Sequence, residues 1–119
     1  MPPYLLQGTY TPEAWEALVK NPQNRFEAIR PAVEKLGGKV EHGWLAFGEH
    51  DIVSILQMPD NVNAAAIAIA FAAGGALKNV KTTPLLSAEE GVEAMRKAGT
   101  CGYRPATAAA GTHRASSSN

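Results

Sequence analysis

Between Gly38 and Asp60 the chain reads G-K-V-E-H-G-W-L-A-F-G-E-H-D-I-V-S-I-L-Q-M-P-D, and few folds accommodate such a stretch. Lys39 to Phe47 and His50 to Met58 are rich in β-branched and aromatic residues, with only Gly48-Glu49 between them. A two-residue loop with glycine first predicts a β-hairpin closed by a type II′ turn, whose first position needs a positive φ. That turn sets the pairing Phe47 with His50, Leu45 with Ile52, Trp44 with Val53 and His42 with Ile55. One face then carries Leu45, Phe47, His50, Ile52, Ser54, Leu56 and Met58, apolar enough to receive helices. The other carries His42, Trp44, Ala46, Asp51, Val53, Ile55 and Gln57 and mixes apolar with polar groups.

The flanking segments complete a plan around this hairpin. Tyr4 to Tyr10 is a strand with apolar residues on both parities, followed by Thr11-Pro12, an N-cap residue and a proline suited to a first helical position. Trp15, Leu18 and Val19 recur at helical spacing until Asn21-Pro22 interrupts them. A second helix carries Phe26, Ile29, Val33 and Leu36 on one face and stops at Gly37-Gly38, with Pro31 predicted to kink or break it. After the hairpin Asp60 caps an Ala, Ile and Phe helix whose all-round apolar surface predicts cover on more than one side. Lys78 to Leu86 is a fourth strand, and Pro84 near its end suits a sheet edge. Ser87 and Glu90 have capping-box spacing for a last helix bearing Val92 and Met95.

The order β-α-β-β-α-β plus a C-terminal helix is the ferredoxin-like α+β pattern: a four-stranded antiparallel sheet with helices on one face. Its first and third strands are central, and both are apolar on both faces. The uncovered face therefore also demands burial, which predicts a homodimer, or an assembly of such dimers, whose sheets meet and enclose a barrel-like cavity. The domain is expected over residues 1–100 and a disordered tail over 101–119, where R-P-A-T-A-A-A-G-T-H-R-A-S-S-S-N lacks periodicity.

Eleven Lys and Arg balance eleven Asp and Glu in these 119 residues, so no overall field favours nucleic acid or an anionic membrane. The apolar run from Ala64 to Ala73 is too short to span a bilayer, and the opening M-P-P-Y lacks signal-peptide regions, so a cytoplasmic location is expected. Cys101, the single cysteine, excludes an internal disulfide and reads as a spare thiol. His42 and His50 fall on opposite faces in the expected register and are too few ligands for a metal, so no metal site is expected. The ligand-binding candidates are His42, Trp44, Asp51 and Gln57 on the mixed face, with Tyr4 and Tyr10 as aromatic neighbours. His42 is the side chain suited to proton transfer near neutral pH. Asp51, beside the turn, either hydrogen-bonds backbone groups or pairs with a cation such as Arg25, or else orients a ligand. No nucleotide-loop, zinc-protease or hydrolase-elbow motif is present, and no cofactor is indicated by the residues.

Several short motifs, taken in order, resemble the GYD-domain family of small bacterial proteins, itself similar to the dimeric α/β-barrel superfamily. They are Tyr4 with Tyr10-Thr11, Arg25, Gly37-Gly38, Gly48-Glu49-His50-Asp51, Pro59-Asp60 and N-V-K-T-T from Asn79, spanning roughly residues 4 to 87. The chain departs from the pattern at His50, which stands at the signature tyrosine, and at Pro84, where threonine is usual. The resemblance implies the fold and dimerisation and supplies no mechanism. The expected function is a homodimeric small-molecule-binding module with a cavity between its sheets. The alternatives are a cofactor-free or haem-assisted oxygenase or isomerase, by analogy with the wider superfamily, and a structural or regulatory oligomer without ligand.

Overall fold

The structure, a computed structural model, describes residues 1–106. The expected tail lies mostly outside these described residues. The elements follow as β1 (Pro3–Tyr10), α1 (Pro12–Lys20), α2 (Arg25–Lys35), β2 (Lys39–Leu45), β3 (Ile52–Gln57), α3 (Asn61–Ala73), β4 (Leu77–Pro84) and α4 (Ala88–Thr100). The strands form one antiparallel sheet in the order β2-β3-β1-β4, the ferredoxin-like arrangement, with β4 and its Pro84 at an edge. Two compact units divide the chain: Met1–Leu85 holds the sheet and α1 to α3, and the segment from Leu86 onward holds α4. Within the second unit Ser87 and Glu90 form the reciprocal capping box, and Cys101 is exposed at the C-cap of α4.

Alternation along the central strands separates the two faces of the sheet. Tyr4, Leu6, Gly8 and Tyr10 of β1 are buried, as are Ile52, Ser54 and Leu56 of β3, while the residues between them are half-buried. Of these, Tyr4, Leu6 and Leu56, with Met58 and Val40, pack against Val33 of α2 and Ala64 and Ile67 of α3. Each large side chain fully removed from water here contributes about 1.5–3 kcal/mol, which makes this face the source of most of the unit's stability. Ser54, the buried polar residue of this layer, donates its hydroxyl to the His42 carbonyl at 2.7 Å. α3 buries one stripe only: Val62 and Ile69 are exposed, so the described chain does not provide the cover on several sides that its composition implies.

Helix ends follow local chemistry. Thr11, Asn24 and Asp60 cap α1, α2 and α3 through side-chain oxygens that accept backbone N–H groups. α2 ends in a Schellman motif, in which Gly38 N–H reaches the Val33 carbonyl and Gly37 N–H the Glu34 carbonyl, with Gly37 at φ +84°. Pro31 does not break α2, which runs on through it to Lys35.

The hairpin departs from expectation at its tip. Leu45, Trp44 and His42 pair with Ile52, Val53 and Ile55 as the sequence predicts, and a bulge at Glu41 precedes Val40 opposite Leu56. Phe47 and His50 do not pair: β2 stops at Leu45, β3 starts at Ile52, and the connection 46–51 is a wider loop in which Gly48 lacks a positive φ. The physical reason is competition from β1. Asp51 donates its N–H to the Gly8 carbonyl and accepts the Tyr10 N–H on Oδ2 at 2.9 Å, and Thr9 donates its hydroxyl to the Glu49 carbonyl. These bonds hold the loop against the neighbouring strand and leave Phe47 fully in solvent.

A Cβ at Gly38 would lie 2.7 Å from the Gln57 carbonyl oxygen and also meet the Met58 sulfur, whereas one at Gly48 meets nothing within 4 Å. Gly38→Ala should therefore lower the unfolding free energy in urea by about 1–3 kcal/mol, and Gly48→Ala should change it by less than about 0.5 kcal/mol. A large loss at Gly48 would point back to the tight type II′ turn.

Candidate functional site

α1 is amphipathic, yet none of its residues is buried. Its apolar residues Trp15, Leu18 and Val19 instead line a cleft of about 630 Å³ between α1, the start of α2 and the outer strand β2. Opposite them stand Phe26 and the β2 residues Gly43, Trp44 and Leu45. Gly43 is required by that contact, because a Cβ there would sit 2.5–2.8 Å from three atoms of the Phe26 ring. At the inner end lies Tyr10, 7% exposed, its ring edge-on to Trp15 with centroids 5.0 Å apart. A second cavity of about 340 Å³ between α2 and α3 shares Tyr10, Arg25 and Phe26 with the first. Tyr10 thus stands where the two cavities meet.

Burial, the largest influence on Tyr10, pushes its phenol above the ordinary tyrosine value; the nearby Arg25 guanidinium opposes this and Asp51 adds to it more weakly. The arrangement can hold a molecule of drug-like size by apolar contact and fix its orientation through one cation and one hydroxyl.

The six candidates from sequence separate into three places. His42, Trp44 and Gln57 lie on the open face of the sheet, where the His42 and Trp44 rings stack at 5.4 Å and Gln57 donates to Glu41 Oε1. Trp44, on the edge strand, also borders the cleft. Asp51 serves backbone groups through the bonds to β1, the first of the roles its position suggested. Tyr4 and Tyr10 point to the helix-covered side: Tyr4 is buried and donates to Asn61 Oδ1 at 2.6 Å, tying β1 to the first turn of α3, while Tyr10 reaches the cleft. His50 sits in the hairpin loop, and among the described residues no three His, Cys, Asp or Glu side chains group to hold a metal ion.

Residues 4–95 match the family model described as the GYD domain. The chain belongs to the GYD-domain family. No curated protein and no solved structure matches it. In this GYD domain the Gly48-Glu49-His50-Asp51 stretch forms the loop that docks on β1, and its aspartate makes the docking bond. No described helix is long and apolar enough to cross a membrane. Sequence reasoning overlooked Trp15, Leu18 and Phe26 as site residues because a cleft-lining stripe and a core-facing stripe have the same helical period. The available signal was the aromatic content of α1 beside the Asn24-Arg25-Phe26 helix start.

The raised phenol sets a pH dependence. The folded protein retains the Tyr10 proton to higher pH than the unfolded chain does, so stability from this group is full below the ordinary value of 10.0 and is lost as pH rises through the folded value. As pH rises from 10.0 through the folded value the wild type should lose urea stability relative to Tyr10→Phe, while well below 10.0 the difference between them should stay constant. A difference that never changes would mean that the hydroxyl is hydrated like a surface tyrosine.

Proposed function

We propose that this GYD protein is a homodimeric small-molecule-binding module whose ligand occupies the cleft between α1, α2 and β2. The observation that carries the reading is the cleft: its volume of about 630 Å³ falls within the range of ligand sites, and its walls are mainly apolar and aromatic. An amphipathic helix with no buried residue leaves apolar surface in water, and a bound molecule recovers that burial. On this reading the ligand lies beside the sheet, on the helix side, where the sequence suggested a cavity between two sheets.

Dimerisation rests on the other face. Leu5 of β1 and Val53 and Ile55 of β3 form a half-buried apolar centre between Gln7, Gln57 and Thr9, and a second copy of the chain covers it sheet to sheet. The family's resemblance to dimeric barrels supports the same occupant.

Both tryptophans of the protein border the cleft, so binding of the neutral apolar dye N-phenyl-1-naphthylamine can be read by energy transfer from them. The wild type is expected to bind the dye, and Leu18→Gln, which sets an amide into the apolar wall, to bind it about tenfold more weakly with unchanged circular dichroism. Equal binding by both proteins would remove the cleft from consideration. In sedimentation velocity the wild type should run as two 12.6 kDa chains and Ile55→Lys as one. A monomeric wild type would discard the sheet-to-sheet dimer and leave the cleft untouched.

A further inference from the structure

The charge pattern around the cleft narrows what it binds. Arg25 is the one charged residue lining either cavity, and it lines both. Among the described residues no carboxylate comes within the ion-pair distance of 4.0 Å of its guanidinium. Its sole side-chain partner there is the neutral Gln23, whose Oε1 accepts from Nη1 at 2.9 Å. The acid nearest in sequence, Glu27, is committed elsewhere: it takes two bonds from Arg30, which hold its carboxyl below the usual range. Asp51 is committed to the Tyr10 N–H.

The Tyr10 hydroxyl adds a second donor. It makes no hydrogen bond among the described residues, although the ring that carries it is buried and the other buried phenol, Tyr4, has a partner. The Tyr10 hydroxyl is not among the buried polar atoms left unsatisfied, so it is open to solvent from the cavities its residue lines and is a donor available to an acceptor there. Burial is the largest influence on its oxygen and keeps the phenol protonated as a donor, and of the two nearby charges the Arg25 guanidinium acts more strongly than the Asp51 carboxylate. Arg25 is itself exposed, so what it offers an anion is the fixed fork of its N–H groups beside an apolar wall.

We propose that the cleft selects a flat, largely apolar ligand bearing one carboxylate, with Arg25 and the Tyr10 hydroxyl holding the carboxylate and Trp15, Leu18 and Phe26 enclosing the apolar body. The inference rests on the cleft being the binding site and adds the chemical class of its occupant. A guanidinium presents paired N–H groups that match a carboxylate, and the phenol supplies a third donor. The aromatic side chains match the flat body, which Trp15 meets with a ring already fixed against Tyr10.

The test compares 2-naphthoate with 2-naphthamide, which share the ring system and differ in charge. Both are titrated into wild type, Arg25→Gln and Tyr10→Phe, with the indole N–H signals of Trp15 and Trp44 followed by NMR. Wild type should bind the naphthoate at least about tenfold more tightly than the amide, as expected of charge-assisted hydrogen bonds. Arg25→Gln should remove that preference while retaining the amide affinity, and Tyr10→Phe should reduce the preference in part. Equal affinities in wild type, or an Arg25→Gln variant that weakens both molecules alike, would overturn the carboxylate assignment and leave the cleft as a neutral apolar site. If neither compound shifts either indole at millimolar concentration, the cleft reading fails and this inference fails with it.

Discussion

The architecture depends on a one-sided core. Tyr4 and Leu6 of β1 and Leu56 and Met58 around β3 meet Val33 of α2 and Ala64 and Ile67 of α3, and that layer is closed without any residue of α1. Strand register enforces it, since a one-residue slip would turn Leu6 and Leu56 outward and bring Leu5 and Ile55 in. Because two helices suffice to seal the layer, α1 is left with an apolar stripe and a cleft beneath it. The same division gives the sheet its second, half-buried face, so the cleft and that face both follow from where the core ends.

Tyr10 joins these regions. Its N–H is fixed by Asp51, its ring by Trp15, and its position by pairing opposite Leu77 of β4. The hairpin loop therefore does more than reverse the chain: its aspartate fixes the last residue of the central strand, and that residue forms the inner end of the cleft. The loop thus meets the cleft-lining Tyr10 directly, through the bond from its N–H to the Asp51 carboxylate.

Much of the fold was legible because its signals are local. Thr11, Asp60 and the Ser87 and Glu90 pair announce helix starts by side-chain chemistry within a single turn, and Gly37-Gly38 announces a helix stop. The pairing of Leu45, Trp44 and His42 could be counted from the hairpin itself. Its tip could not, because Asp51 is drawn to β1 by bonds to residues some forty positions away, and no local rule weighs them against a tight turn. The bulge beside Asn79, which holds a positive φ of 53°, has the same long-range origin in the fit of β4 to β1. Of the candidate site, Trp44 and Tyr10 were named from sequence as aromatic residues near a mixed face, although Tyr10 lies on the opposite side of the sheet. Arg25 was noticed as part of a motif and as a possible partner of Asp51, since its standing as the one charged residue lining the cleft is set by the fold.

Both outer strands carry an irregularity: β2 bulges at Glu41, and β4 shifts register beside Asn79 before reaching Pro84. A strand from another molecule adding to either side would meet a broken ladder of donors and acceptors, and on β4 also Lys78 and Lys81. The sheet accordingly ends at four strands. Growth edge to edge, the route to open-ended fibres, is obstructed on both sides.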